Sequence, residues 1–266
     1  MHIEQIIRTI ERTAPLAAAA DWDHSGLQVA SHRVEASSLA VCLDPIPASV
    51  SAAIEGKADF ILAHHPLSLR PSLPCRLDEY NEVLRLLFKA DIPLYSAHTS
   101  LDANSAGPAG WLARELRLKN LSVLEPSAYT AQESPAPPFG FGFCGDLPSP
   151  ITLRELGEAL RKRIDLETSV LVGKEPDAIT RIAYCTGSGA SLAGEALAAG
   201  AQIYITGDVK YHAALSARTC VLDVGHHSLE EEMMRLFSLQ LQKELSGLNV
   251  FFVPSISPFR PFFSCR

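Results

Sequence analysis

The chain has no Cys-x-x-Cys pair among its six cysteines and no excess of positive charge. It also lacks an apolar run near the roughly 20 residues that a membrane helix needs. Each absence excludes a class. The thiols (Cys42, Cys75, Cys144, Cys185, Cys220 and Cys265) are scattered along 266 residues, far more than a disulfide-dependent scaffold has, so buried thiols in a reducing cytoplasm are expected. A formal charge of -7 argues against nonspecific nucleic-acid binding. Residues 1–13 carry Glu4, Arg8, Glu11 and Arg12 without a continuous apolar core, so they do not read as a signal peptide. Aromatic residues are few, at 7%, which makes the expected core aliphatic. What is present, 47% hydrophobic and 20% charged residues, fits a soluble globular protein large enough for two domains. The expectation is a cytoplasmic protein with no nucleic-acid partner and no membrane partner.

Ile3, Ile6, Ile7 and Ile10 stand at helical spacing, and Pro15 closes that helix. Asp21-Trp22-Asp23-His24-Ser25-Gly26 forms a polar turn, either a capping loop or part of a site, before the short apolar segment 27–30. From Leu39 the pattern is regular: strand 39–43, helix 47–56, strand 59–63, helix 78–89, strand 93–97 and a helix over 107–116. Such alternation predicts parallel strands joined by crossover helices. Between Leu121 and Pro138 the prolines at 126, 135, 137 and 138 predict a loop and a domain boundary. A glycine-aromatic strand at 139–144 follows. Thr152 with Glu155 then predicts a capping box on a helix reaching Arg163. Further strands fall at 168–172, 181–185 and 249–253, with a helix at 229–245.

The second half repeats the pattern of the first. The interval from Cys42 to His65 equals that from Cys185 to Asp208, and each runs strand, small-residue helix, apolar strand. Each half then has another apolar strand followed by a histidine and, four residues later, a carboxylate: His98 with Asp102, and His226 with Glu230. The expected fold is α/β, with two related α/β domains from an internal duplication and a metal site in the cleft between them. The first domain is 1–124, completed by 223–266, and the second is 125–222.

Ligands of parallel α/β sheets bind beyond the carboxyl ends of the strands, where His64, His65, Asp102, His226 and Glu230 all fall. The adjacent pair His64-His65 is weak alone, because neighbouring side chains on an extended strand point to opposite faces. Together, three imidazoles and two carboxylates suit Zn, Fe, Mn, Co or Ni, and bridging acids can serve two divalent ions roughly 3.5 to 4 Å apart. This predicts a dinuclear centre. His226 with Glu230 is preferred to His227 with Glu231, because Gly225 permits a tight turn and one helical turn aligns the pair. Glu231 and Glu232 are expected on a solvated helix surface. For Asp102 the alternative is a helix N-cap.

On the same rim, backbone amides of Thr186-Gly187-Ser188-Gly189-Ala190 could hold an anion, or the small residues could serve close packing. Gly187 and Ser188 are thus candidate substrate contacts. Asp208, Lys210 and His212 could bind substrate or move protons, or form a plain turn. His98 and His212 are the candidate proton shuttles.

Ala63-His64-His65-Pro66-Leu67, Ser96-Ala97-His98-Thr99-Ser100-Leu101-Asp102, Thr206-Gly207-Asp208-Val209-Lys210-Tyr211-His212 and Asp223-Val224-Gly225-His226 with Glu230 resemble the motifs of the NIF-three-like family. Trp22-Asp23-His24-Ser25-Gly26-Leu27 and Cys185-Thr186-Gly187-Ser188-Gly189 resemble two further blocks of it. Members are commonly described as GTP cyclohydrolase I type 2 homologues. The resemblance implies paired α/β domains, a dinuclear metal site on the same five residues, and a toroidal homohexamer. It also implies a hydrolase in which metal-activated water attacks a nucleotide or cyclic amide substrate. The alternatives are a protein that stores or delivers iron or another transition metal, and an oligomeric scaffold. The chain departs from the family pattern at His24 and Ser100, where Asn is usual, and at Ser257-Pro258-Phe259, which lacks an acidic neighbour.

Overall fold

In the computed structural model, which describes residues 1–70, 72–129 and 139–262, the isoleucine spacing at the N-terminus produces helix α1 (Ile3–Thr13) with Ile6 and Ile10 fully buried. The chain folds as two units, the first formed by Met1–Asp102 with Met233–Ser255, the second by Ala103–Glu232 with the tail from Ile256. Pro135, Pro137, Pro138 and Cys265 lie outside the described residues.

The first unit holds strands β1 (Gly26–Val29), β2 (Ser38–Cys42), β3 (Phe60–Ala63) and β4 (Leu94–Ser96), with helices α2 (Pro47–Glu55) and α3 (Glu79–Ala90) between them. The short helix α4 (Thr99–Asp102) follows β4. In the second unit come β5 (Lys119–Pro126), β6 (Gly140–Ile151), β7 (Val170–Val172), β8 (Ile179–Tyr184), β9 (Ile203–Thr206) and β10 (Cys220–Asp223). Its helices are α5 (Trp111–Glu115), α6 (Leu153–Leu160), α7 (Ala193–Ala198) and α8 (Tyr211–Ser216). The long helix α9 (His226–Glu244) then leads to β11 (Asn249–Phe252), which closes the sheet of the first unit.

That first sheet has the order β1-β4-β3-β2-β11, parallel throughout except for β1, which runs antiparallel to β4. Every residue of β2, β3 and β4 is buried, as strands covered on both faces must be, and this is why they read as continuous apolar runs. Ile61 and Ala63 of β3 share one core with Ala40 and Cys42 of β2 and with Val83 and Leu87 of α3. Pro47 starts α2, Asp78 caps α3 by accepting from the Asn81 amide, and Asp91 ends α3 in a left-handed conformation.

The second sheet has the order β5-β6-β8-β9-β10-β7, and among its pairs β8/β9 and β9/β10 are parallel. The expectation of parallel pairing holds for these central strands, whereas β5/β6, β6/β8 and β10/β7 are antiparallel. Residues 121–126, expected in a loop, belong to β5. Pro126 is tolerated because β5 is an edge strand and the proline sits at its end. The capping box of Thr152 with Glu155 is present on α6, as the sequence predicts.

Among the described residues no helix is long and apolar enough to cross a membrane. No disulfide links their cysteines. Cys42, Cys144 and Cys220 are buried as expected, whereas Cys75 is exposed.

Candidate metal centre

In the first unit, register brings three histidines together. Ala63 at the end of β3 pairs with Cys42 of β2 and Ser96 of β4, so His64, His65 and His98 leave from neighbouring strand ends. The His64 and His65 amides both donate to Leu43 O, at 3.1 and 3.0 Å, and Ser96 Oγ donates to His64 O at 2.7 Å. The chain has left extended geometry here, which removes the opposite-faces objection: the His64 and His65 rings lie 5.0 Å apart, centroid to centroid. The His98 ring is 5.3 Å from His64 and 5.5 Å from His65. A ring nitrogen of each lies within 4.8 Å of the others, so the three form a group able to hold a metal ion.

Each of these imidazoles has its Nδ1 occupied. His64 Nδ1 is 2.9 Å from Ala97 O, His65 Nδ1 is 2.6 Å from Asp44 Oδ1, and His98 Nδ1 is 2.8 Å from Asp23 Oδ1. An acceptor at Nδ1 fixes the proton there and leaves the lone pair on Nε2, the arrangement of metal-ligating histidines. Asp102 ends α4 and does not cap the next helical segment, whose N-cap is Gly107, and its Oδ2 lies 3.6 Å from His64 Nε2. The Asp23 side chain has no exposed surface. Burial pushes its carboxyl up, but hydrogen bonds from His98 and Thr99 outweigh this and hold it well below the usual carboxylate range.

The second unit builds a matching pair. Val224 N donates to Thr206 O at 2.9 Å, and the Asp223 carboxylate accepts from the Gly225 and Val209 amides, each at 2.9 Å. Gly225, at φ 79°, makes the turn for which a glycine was expected, and His226 opens α9. His226 Nδ1 is 2.7 Å from Asp208 Oδ2, and its Nε2 is 3.0 Å from Glu230 Oε2, one helical turn on. Glu230 is 3% exposed. This fourth imidazole repeats the scheme of the other three.

The remaining expected residues are placed differently. Asp208, expected to contact substrate, has its carboxylate on His226 and takes a left-handed backbone with φ 57°. The Gly189 amide is taken up by Thr206 Oγ1 at 3.0 Å, so it does not serve an anion cradle, while Ser188 and Lys210 are exposed. His212 is exposed on α8 with its ring against Tyr211, outside the groups able to hold a metal. His227 stands 3.9 Å from Glu231, a looser pair than His226 with Glu230. Glu232, expected on a solvated surface, is buried and faces Arg163 Nη1 at 3.7 Å, because a cation from outside the helix reaches it. Asp44 was missed altogether. It stands two residues past the end of β2, a position the strand-end rule covers.

Comparison with known proteins bears on the family and the fold. The family model for Duf34/NIF3 (NGG1p interacting factor 3) matches residues 1–258. A Streptococcus pneumoniae protein named GTP cyclohydrolase 1 type 2 homolog is 30% identical over 271 residues, covering 98% of this chain and 99% of its own. Among solved structures, a Bacillus cereus protein related to NIF3 has the same fold, with a TM-score of 0.85 at 23% identity over 99% of both chains. Reduced HcgD from Methanocaldococcus jannaschii gives a TM-score of 0.80 at 28% identity, covering 95% of this chain and 98% of its own. By sequence over nearly its whole length and by fold, the chain belongs to the Duf34/NIF3 family.

Proposed function

We propose that the protein is a metal-dependent hydrolase with a dinuclear centre held by His64, His65, Asp102, His226 and Glu230, acting on a nucleotide or cyclic amide substrate. The observation that carries this reading is the common scheme of the imidazoles: His64, His65 and His226 each have Nδ1 on an oxygen, which leaves Nε2 to bind a cation. The donor set fits a divalent transition metal, with imidazole nitrogens and the carboxylates of Asp102 and Glu230. Bound ions would supply Lewis acidity and lower the pKa of water toward neutrality. The duplicated three-strand pattern, β2-β3-β4 and β8-β9-β10, supports a descent from one βα unit, each copy contributing ligands at its strand ends.

The chain's own residues then have distinct tasks. His98 Nε2 takes a proton from the attacking water and returns it to the leaving group. His212, exposed and turned to Tyr211, is the weaker candidate for that task. Lys210 and Ser188, both exposed, are available to an anionic substrate group. The GTP cyclohydrolase 1 type 2 homolog name of the Streptococcus pneumoniae relative makes GTP the first substrate to try.

The test is turnover of a panel of nucleotides and cyclic amides, GTP included, by protein loaded in turn with Zn, Fe, Mn, Co and Ni. Glu230→Ala and His65→Ala should each lower turnover by at least about 100-fold, the loss typical of removing a group that stabilises the transition state. If every substrate is inert with every metal, the hydrolase reading fails, and rapid transfer of metal to an acceptor protein would establish the delivery role instead.

A further inference from the structure

Asp23 is a buried carboxylate with an unusual number of donors. Its Oδ2 accepts from Ser25 Oγ at 2.7 Å, Thr99 N at 3.1 Å and Thr99 Oγ1 at 2.5 Å. Its Oδ1 accepts from the His24 amide at 2.7 Å and faces His98 Nδ1 at 2.8 Å. Thr99 Oγ1 is itself fixed, because it accepts from the Ala20 amide at 3.0 Å, and Ser25 Oγ accepts from His98 N at 3.2 Å. The turn before β1 is therefore tied to the start of α4 through one carboxylate. The Trp22 ring stands edge-on to the imidazole, centroids 5.8 Å apart.

We propose that Asp23 is the positioning residue for His98: it holds the Nδ1 proton, so that the lone pair stays on Nε2 beside the His64–His65 pair. The inference rests on the hydrolase reading for its consequence in turnover, but not for the tautomer itself. The proton moves only at Nε2. It arrives from the attacking water and departs to the leaving group, while Nδ1–H stays on Asp23.

Asp23→Asn separates this role from simple packing, since it keeps the shape and turns one acceptor into a donor. Three donors face Oδ2, against the His24 amide alone beside His98 at Oδ1, so the amide oxygen takes the Oδ2 side and the amide nitrogen faces His98 Nδ1 at the loss of the His24 contact. There it donates, which forces the proton onto Nε2 and removes the acceptor from the working side. The experiment is 15N NMR of the full-length chain labelled on histidine, with zinc added, and with the His98 signals assigned by their loss in His98→Gln. The wild type should show Nδ1–H and an unprotonated Nε2. Asp23→Asn should show the reverse, with kcat lowered about 100- to 10,000-fold, KM little changed and zinc content unchanged.

An Nε2–H tautomer in the wild type, or a His98 Nε2 bound to zinc, would overturn the proposal without any variant. So would an unreversed tautomer in Asp23→Asn. If the tautomer reverses while the wild type turns over no substrate, the hydrolase reading fails and the positioning role stands.

Discussion

Gly187→Ala is expected to weaken metal binding by about 10- to 100-fold, the loss seen when a group that orients a ligand is disturbed, while the secondary structure survives. The reason is geometric. A Cβ on residue 187 would stand 2.1 Å from Glu230 Oε1, 3.1 Å from its Cδ and 3.2 Å from His226 Nε2. Glu230 is buried, so its carboxylate has little room to swing aside. The backbone adds to this, because φ 59° is left-handed and costs a residue with a Cβ roughly 1–2 kcal/mol. Calorimetric titration with zinc measures the affinity, and circular dichroism checks the fold. An unchanged affinity would mean that the Glu230 carboxylate is not held where it is needed.

Gly207→Ala should act on stability. Its Cβ would lie 2.5 Å from His226 N and 2.7 Å from both Gly225 C and His226 Cα, all of them backbone atoms that no rotamer change can move. Overpacking of this kind costs about 1–3 kcal/mol, and more where the neighbours cannot shift. For a chain of this size that is a fall of roughly 2–4 °C in Tm for each kcal/mol, readable by scanning calorimetry. The contrast is Gly157→Ala on α6, where the added Cβ meets nothing within 4 Å. There the substitution should raise stability by about 0.4–1 kcal/mol by restricting the unfolded chain. Equal effects from the two substitutions would contradict the close approach of residue 207 to the start of α9.

The two glycines mark what the sequence could and could not disclose. His226, Glu230 and the turn at Gly225 were legible, because their logic is local: a strand end, a residue able to take positive φ, and one turn of helix. The capping box on α6 was legible for the same reason. The groups that orient the histidines were mostly not. Asp44 reaches His65 across neighbouring parallel strands, and Asp23 reaches His98 because β1 pairs antiparallel to β4, with Gly26 opposite Ser96. That antiparallel strand does not follow from an alternating strand-helix pattern, so the polar turn before it read equally well as a cap. Strand β5 was hidden by Pro126, which marks a loop in most contexts but sits harmlessly at the end of an edge strand. Glu232 looked like a solvated acid on a helix surface, and the arginine that faces it lies far away in sequence, at Arg163.

The central claim, that His64, His65, Asp102, His226 and Glu230 hold a dinuclear centre, is tested most directly by elemental analysis of the full-length protein after mild purification and dialysis. The account predicts about two divalent transition-metal ions per chain, as a site with bridging carboxylates requires, and a clear loss from the Asp102→Ala protein. A metal content in Asp102→Ala equal to that of the wild type would contradict it.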